Sequence, residues 1–305
     1  MSAGFDLVAV IDWSGGRDRG ARPRKDAIWA AVATRNGGEA APVYLRNRAV
    51  AEDWIRTLAD TALAEGRRLL VGLDFPFGYP RGFAAALTGR EDVFALWAWF
   101  AAHVEDATVP GARGDAGSDN RFALAGRINR LVGDGNGPFW FNALKRDVDG
   151  LPRKGRTRSF CWPEPKRAAE RESARETKGA FEVWQMAGAG AVGSQTFMGL
   201  PVLARLRARY GAALAVAPFE PEAGGRVVLA EVWPSLIGPA IARARRPGEI
   251  PDAAQVRVLA RALAALPPEH LAKMLAEGRE HGAEGWILGL GHAAALAEAV
   301  AAGDP

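Results

Sequence analysis

Two short apolar runs that each end on an aspartate constrain the fold of this 305-residue chain more than any other feature. The first covers residues 7–11 and is followed by Asp12, and the second covers residues 69–73 and is followed by Asp74. Both runs are rich in Val, Ile and Leu and stop at residues that break regular structure, which is typical of buried central strands. Because open α/β sheets bind ligands at the carboxyl ends of their strands, both aspartates are candidate site residues.

The surrounding N-terminal sequence predicts a sheet with one crossover helix. We predict strands over residues 7–11, 27–34, 42–45 and 69–74, and a helix over residues 51–65. The apolar residues of that helix recur at the 3.6-residue spacing of a helix packed on a sheet. A helix in this place permits the first and fourth strands to run parallel.

Strand signals nearly vanish between residues 81 and 211, so we predict a mainly helical insertion or cap there, within a single domain of residues 1–305. We predict helices over residues 92–104, 120–131, 179–187 and 201–210, and a charged loop over residues 145–178. An insertion of this size would cover the strand ends and would favour a small or single-stranded substrate over a duplex.

Strand patterning returns in the C-terminal third. Residues 213–217 and 226–232 flank a segment rich in turn residues, which predicts a hairpin. We predict helices over residues 252–266, 269–277 and 292–302, with Asp252 as the N-cap of the first of them.

Composition excludes several classes of protein. The single cysteine, Cys161, allows no internal disulfide, and no apolar stretch is long enough to span a bilayer. We therefore expect a cytoplasmic protein with no membrane partner. The net charge of +4 invites a nucleic-acid interpretation, but 33 of the 39 basic residues are Arg. The composition of a GC-rich genome explains that bias equally well.

Four acids form the candidate catalytic and metal-binding set. Glu231 ends an apolar run before a Trp-Pro pair, as Asp12 and Asp74 end theirs, and Asp252 opens a helix. If they converge, their oxygens suit Mg²⁺ or Mn²⁺, and two such ions suit in-line displacement at phosphorus. Each acid taken singly can instead cap a turn or a helix, and Glu284 is a rival to Asp252 as the fourth acid.

This order of acids resembles the ribonuclease H-like superfamily, in particular the bacterial DUF429 family of predicted ribonuclease H-like nucleases. The resemblance is carried by four short segments, residues 11–14, 72–76, 231–235 and 252–254. It implies an α/β fold with a five-stranded mixed sheet of order 3-2-1-4-5 and helices on both faces. It also implies two-metal hydrolysis of phosphodiesters, as in a nuclease, at Asp12, Asp74, Glu231 and Asp252.

Two segments supply candidate substrate-binding residues near the acids. Ser14, with the two glycines after it, could cradle a phosphate. That loop also leaves open an actin-like ATP-dependent phosphotransferase. The glycine-rich run of residues 188–196 contains a G-x-G-x-x-G string, but no predicted strand precedes it, so a dinucleotide site is weakly indicated. We expect the run to bend tightly and to present Ser194 and Gln195 to the site.

A basic loop supplies the remaining candidates, Arg153, Lys154 and Arg156, with Phe160 and Trp162 nearby. Positive charge mixed with aromatic rings suits single-stranded nucleic acid, and a small phosphate ester is the other partner that we expect. The loop could also be merely solvated. A non-catalytic protein of the same fold that binds nucleic acid or a nucleotide therefore remains an alternative to the hydrolase.

Overall fold

One mixed sheet of six strands organises the molecule, which we describe from a computed structural model over residues 4–35, 37–107, 119–153 and 165–302. The strands are β1 (Leu7–Asp12), β2 (Trp29–Thr34), β3 (Val43–Tyr44), β4 (Leu69–Leu73), β5 (Leu214–Val216) and β6 (Val227–Glu231). They lie in the order β3-β2-β1-β4-β6-β5. β2 pairs with β1 and with β3 in antiparallel orientation. The pairs β1-β4, β4-β6 and β6-β5 are parallel. The α/β class is therefore confirmed.

Helices cover both faces of the sheet. They are α1 (Arg48–Ala64), α2 (Phe83–Thr88), α3 (Val93–His103), α4 (Arg121–Val132), α5 (Ala168–Glu176), α6 (Val192–Tyr210), α7 (Gly238–Ala244), α8 (Pro251–Ala265), α9 (Pro268–Ala276) and α10 (Ala293–Ala302). No helix in the described ranges is both long and apolar enough to cross a bilayer.

The side chains of β1 explain why its sequence is apolar throughout. Ala9 and Ile11 belong to the core shared with α1, α3 and α6, whereas Val8 and Val10 belong to the core shared with α8 and α10. A strand covered on both faces loses the alternation of polar and apolar residues. The continuous apolar run is thus the direct consequence of a two-sided core.

The sheet differs from the expected one in its last two strands. The predicted hairpin is wrong, because β5 and β6 pair in parallel, with Leu214 opposite Val227. The segment between them contains a 3-10 turn at Glu222–Gly224 and returns the chain to the same end of the sheet. The sheet therefore has six strands where five were expected. β6 takes the position beside β4, and the short β5 adds an edge outside it.

The segment between β4 and β5 is mainly helical, and α3 and α4 lie within one residue of the helices predicted over residues 92–104 and 120–131. Asp92 is the N-cap of α3 and accepts hydrogen bonds from the amides of Phe94 and Ala95 at 2.8 and 3.3 Å. The helix predicted over residues 179–187 is wrong, since this stretch forms turns and a bridge between Trp140 and Gln185. α6 instead begins at Val192 and continues through a buried proline.

Two further expectations need correction. Residues 145–178 are not all loop, because the charged sequence of α5 forms a helix. Asp252 is not an N-cap, because Ile250 holds that position and Asp252 is the second residue of α8.

Candidate functional site

Asp12 and Asp74 lie side by side at the carboxyl edge of the sheet. Asp12 is the last residue of β1, and Asp74 directly follows β4. The two strands are neighbours, with Ile11 paired with Leu73, and the amide of Asp74 donates to the carbonyl of Ile11 at 2.9 Å. Because the strands run parallel, both carboxyl groups emerge at the same edge.

A cavity of about 790 Å³ lies over this edge. Its acidic lining residues are Asp12, Asp26, Asp74 and Asp252, its basic ones are Arg19 and Arg121, and its amide and hydroxyl side chains include Ser14, Ser194, Gln195, Ser235 and Gln255. Residues between β4 and β5 form much of the wall, among them Phe122, Leu144 and Phe181. The insertion thus contributes much of the wall beside the strand ends, and the cavity remains open to solvent on one side.

The Asp12 and Asp74 pair carries uncompensated charge. Burial raises the pKa of Asp12 well above its ordinary range, and the carboxylate of Asp74 raises it further. Burial also raises the pKa of Asp74 to about 8, with a further contribution from Glu231. No side chain in the described ranges forms an ion pair or a hydrogen bond with either carboxylate. A buried carboxylate pair is ordinarily held by a cation, a shared proton or an Arg.

Asp252 joins this cavity from the opposite side. Its Oδ2 accepts a hydrogen bond from the amide of Asp26 at 2.6 Å, where the backbone of Asp26 has a φ of 56°. Burial raises the pKa of Asp252, and its charge acts on Asp12. Asp252 therefore positions the loop before β2 as well as lining the cavity.

Glu231 is held in a buried ion pair and does not line the cavity. Its two oxygens accept from Nη1 and Nη2 of Arg167 at 2.8 and 2.7 Å, and the amide of Phe77 donates to the same carboxylate at 3.0 Å. Arg167 also contacts Glu170 at 3.1 Å. Glu231 and Arg167 are both almost fully buried. The guanidinium thus stands beside Glu231 where the sequence pattern led us to expect a metal.

Glu284, the rival fourth acid, is also occupied elsewhere. It is buried and accepts hydrogen bonds from the amides of Arg81 and Ala168 at 3.0 and 2.6 Å. Its carboxylate joins three segments of backbone and does not line the cavity.

The loop after β1 is fixed against the start of α6. Gly15 approaches the backbone of Ser194 so closely that a Cβ at Gly15 would lie 2.6 Å from the Ser194 carbonyl carbon. Gln195 Nε2 donates to the carbonyl of Trp13 at 2.8 Å, and Ser194 Oγ donates to the carbonyl of Met186 at 2.5 Å. Ser14, Ser194 and Gln195 all line the cavity. These contacts fix the backbone of the loop after β1 and of the first turn of α6, so this part of the cavity is preorganised.

Arg48 also fixes the loop after β1, through backbone carbonyls of that loop. This buried guanidinium donates to the carbonyls of Ser14 and Gly16 and pairs with Asp106. Of the predicted basic residues, Arg153 is exposed, pairs with Asp147 at 2.7 Å and does not line the cavity. Lys154 and Arg156 lie outside the described residues, as do Phe160 and Trp162.

Sequence reasoning missed several charged or aromatic residues of this cavity, among them Arg19, Asp26, Arg121 and Phe181. Arg19 and Asp26 belong to the polar stretch that follows Asp12, so a charged loop directly after a strand end was the available signal. Arg121 and Phe181 come from distant segments and carry no local signal.

The four acids Asp12, Asp74, Glu231 and Asp252 do not all converge at this edge, because Glu231 does not line the cavity. Within residues 4–35, 37–107, 119–153 and 165–302, no three His, Cys, Asp or Glu side chains are arranged to hold a metal ion by themselves. What the edge presents is a pair, Asp12 and Asp74, with Asp252 nearby. Comparisons of the chain with models of protein families, with curated proteins and with solved structures found no match.

Proposed function

We propose that this protein is a metal-dependent hydrolase of phosphate esters, with phosphodiesters as the leading class, and that Asp12 and Asp74 hold its metal ion. The observation that carries the proposal is the half-buried pair of carboxylates, which has no cationic partner among the described residues and lines a polar cavity. Two like charges in this position call for a cation.

The donor set fits Mg²⁺ or Mn²⁺. Mg²⁺ commonly keeps several water molecules and is held by one or two carboxylates plus the phosphate oxygens of a substrate. Two aspartates without a third protein ligand match that requirement. The bound ion would supply charge stabilisation at phosphorus and activation of a water molecule.

The ion pair of Glu231 favours one metal ion over two. Arg167 neutralises Glu231 through two hydrogen bonds, so this carboxylate is not free to bridge a second ion. Glu231 remains close enough to raise the pKa of Asp74. We therefore assign Glu231 a positioning role, in which it holds Arg167 and the backbone of Phe77 next to the site. Asp252 lines the cavity and is the further acid that faces the substrate.

The remaining polar residues of the cavity suit an ester. Arg19 and Arg121 can bind phosphate oxygens, and the hydroxyl of Ser14 can donate to them, while Ser194 and Gln195 hold the loop that carries Ser14. Asp252 can accept the proton of the attacking water, since its raised pKa brings it nearer to neutrality.

The ribonuclease H-like resemblance remains part of this proposal. The order β3-β2-β1-β4, with an acid-tipped parallel strand beside β4, agrees with the arrangement that the resemblance implies. The added edge strand β5 and the cavity wall supplied by the insertion depart from it. The departure favours a small or single-stranded ester.

The test combines metal binding with turnover. We expect calorimetry to show one Mn²⁺ bound per chain, and we expect Mn²⁺-dependent cleavage of a short single-stranded oligonucleotide or of a small phosphodiester. Asp12→Asn and Asp74→Asn should abolish both. Asp6→Asn is the matched control, because Asp6 lies just before the opposite end of β1 and bonds the amide of Arg68.

Four results would redirect the proposal. Turnover that survives Asp12→Asn would contradict it. Two ions per chain would refute the role given to Arg167. Nucleotide binding without turnover and without Mn²⁺ dependence would favour the non-catalytic alternative, and ATP-dependent phosphate transfer would favour the actin-like one.

A further inference from the structure

The cavity wall carries an exposed aromatic ring. Phe181 is 55% exposed, and it is the only aromatic residue among the large hydrophobic side chains that are exposed in the described ranges. The other three are Val43, Val50 and Leu131. Of the four, Phe181 alone lines the cavity. Burial of such a ring against a ligand would be favourable.

The backbone of Gly190 supports one face of this ring. A Cβ at Gly190 would lie 2.4–2.5 Å from three ring carbons of Phe181, so the glycine backbone lies directly against the ring. The φ of Gly190 is 74°, a conformation that L side chains rarely adopt. Contact with Gly190 therefore restricts the ring of Phe181, and the ring loses little conformational freedom when a second ring stacks on its other face.

Two buried donors in the same cavity lack acceptors within the part of the chain that the structure describes. They are Nε1 of Trp13, whose side chain is 1% exposed, and Nε of Arg121. An unsatisfied buried donor costs about 1–3 kcal/mol. A ligand that supplies acceptor oxygens would remove that penalty only where a small movement of Trp13 or Arg121 uncovers the donor.

Arg121 also links the polar and aromatic parts of the cavity. Its guanidinium lies over the ring of Phe122 at 5.0 Å and pairs with Asp119 at 2.5 Å. The cavity thus combines carboxylates, guanidinium groups and aromatic rings within about 790 Å³. This volume lies in the range of sites that enclose one small molecule.

We propose that Phe181 forms an aromatic subsite, so that the ester bound here carries a planar, base-like ring within one nucleotide length of its phosphate. This inference rests on the proposed function for the position of the phosphate near Asp12 and Asp74. The ring stacks on Phe181, and the phosphate oxygens accept from the guanidinium of Arg121. A base inside a duplex has both faces covered, so the ring comes from a free nucleotide or from a single strand.

The experiment measures what the ring contributes to affinity. Adenosine 5′-monophosphate and ribose 5-phosphate are titrated by calorimetry in the presence of Ca²⁺, with wild type, Phe181→Ala and Phe181→Trp. Stacking on an aromatic side chain is worth about 1–3 kcal/mol per base, or roughly 5- to 150-fold in affinity. We expect Phe181→Ala to lose that factor for the nucleotide only, and Phe181→Trp to retain it.

Leu131→Ala is the matched control, because Leu131 is 56% exposed on α4 and does not line the cavity. This variant should bind both probes as wild type does. A tetranucleotide identifies the source of the ring: tighter binding than the mononucleotide indicates a single strand, and equal binding indicates a free nucleotide.

Equal affinity of the two probes for wild type, or unchanged nucleotide affinity in Phe181→Ala, would overturn the aromatic subsite while leaving metal-dependent turnover intact. Loss of affinity in Phe181→Ala without any Mn²⁺-dependent turnover would instead support the subsite and refute the hydrolase. Failure of every nucleotide probe to bind would overturn the subsite irrespective of turnover.

Discussion

Replacement of Asp74 by Asn should stabilise the metal-free protein at alkaline pH. The pKa of Asp74 rises from 3.8 to about 8 on folding, so the folded carboxyl keeps a proton that the unfolded chain releases. Stability falls with rising pH wherever the folded state binds more protons. The loss should therefore begin near pH 4, continue to about pH 8 and then level off. Asn carries no charge in either state and should remove this dependence.

The magnitude follows from the size of the shift. About four pKa units at 1.36 kcal/mol each set an upper limit of about 6 kcal/mol at pH 8. Asp74 is only half-buried, so solvent reduces both the desolvation penalty and the repulsion from Glu231. We expect Asp74→Asn to gain about 2–3 kcal/mol at pH 8 and almost nothing at pH 4. At about 2–4 °C per kcal/mol, the melting temperature should rise by roughly 5–10 °C.

Urea unfolding at several pH values between 4 and 9 in EDTA measures the effect, with Asp6→Asn as the control. Mn²⁺ at 100 times its dissociation constant should add about 2.7 kcal/mol to wild type at pH 8 and nothing to Asp74→Asn. The reasoning is refuted if wild type and Asp74→Asn follow the same pH curve, or if the variant is less stable throughout.

Two structural predictions test the framework around the cavity. Glu231→Gln should lower the free energy of unfolding by about 3–5 kcal/mol, because it leaves the buried Arg167 without its main partner; denaturant titration measures this, and a stable variant would contradict the assigned ion pair. Gly15→Ala should cost about 1–3 kcal/mol and impair turnover, because its Cβ would displace the backbone of Ser194. Gly224→Ala is its control, since nothing lies within 4 Å of a Cβ there, and equal losses in both variants would contradict the close approach.

The sequence was sufficient to predict features that depend on local pattern and on one rule of sheet geometry. Asp12 and Asp74 each interrupt an apolar run, and parallel neighbours place such ends together. Glu231 shows the same local pattern, yet its carboxylate is held by Arg167, 64 positions away. Nothing near Glu231 in the sequence indicates that partner, so the pattern could not distinguish a ligand from half of an ion pair.

The insertion was hardest to predict because tertiary contacts decide its helices. The sequence of α5 is strongly charged and resembles a solvated loop, but Arg167 and Glu170 are buried there through ion pairing. β5 was predicted as a strand, yet its three residues contain no signal of direction. Its parallel pairing with β6 depends on the whole connection between them.

The contacts of Arg167 also set an order of events during synthesis. Glu170 leaves the ribosome only three residues after Arg167, whereas Glu231 follows 64 residues later and Glu284, whose carbonyl accepts from Arg167 at 3.1 Å, later still. At synthesis rates of about 5–20 residues per second, several seconds pass between the synthesis of Arg167 and that of Glu231. The contacts that join Arg167 to β6 and to Glu284 therefore cannot form until most of the polypeptide has been translated.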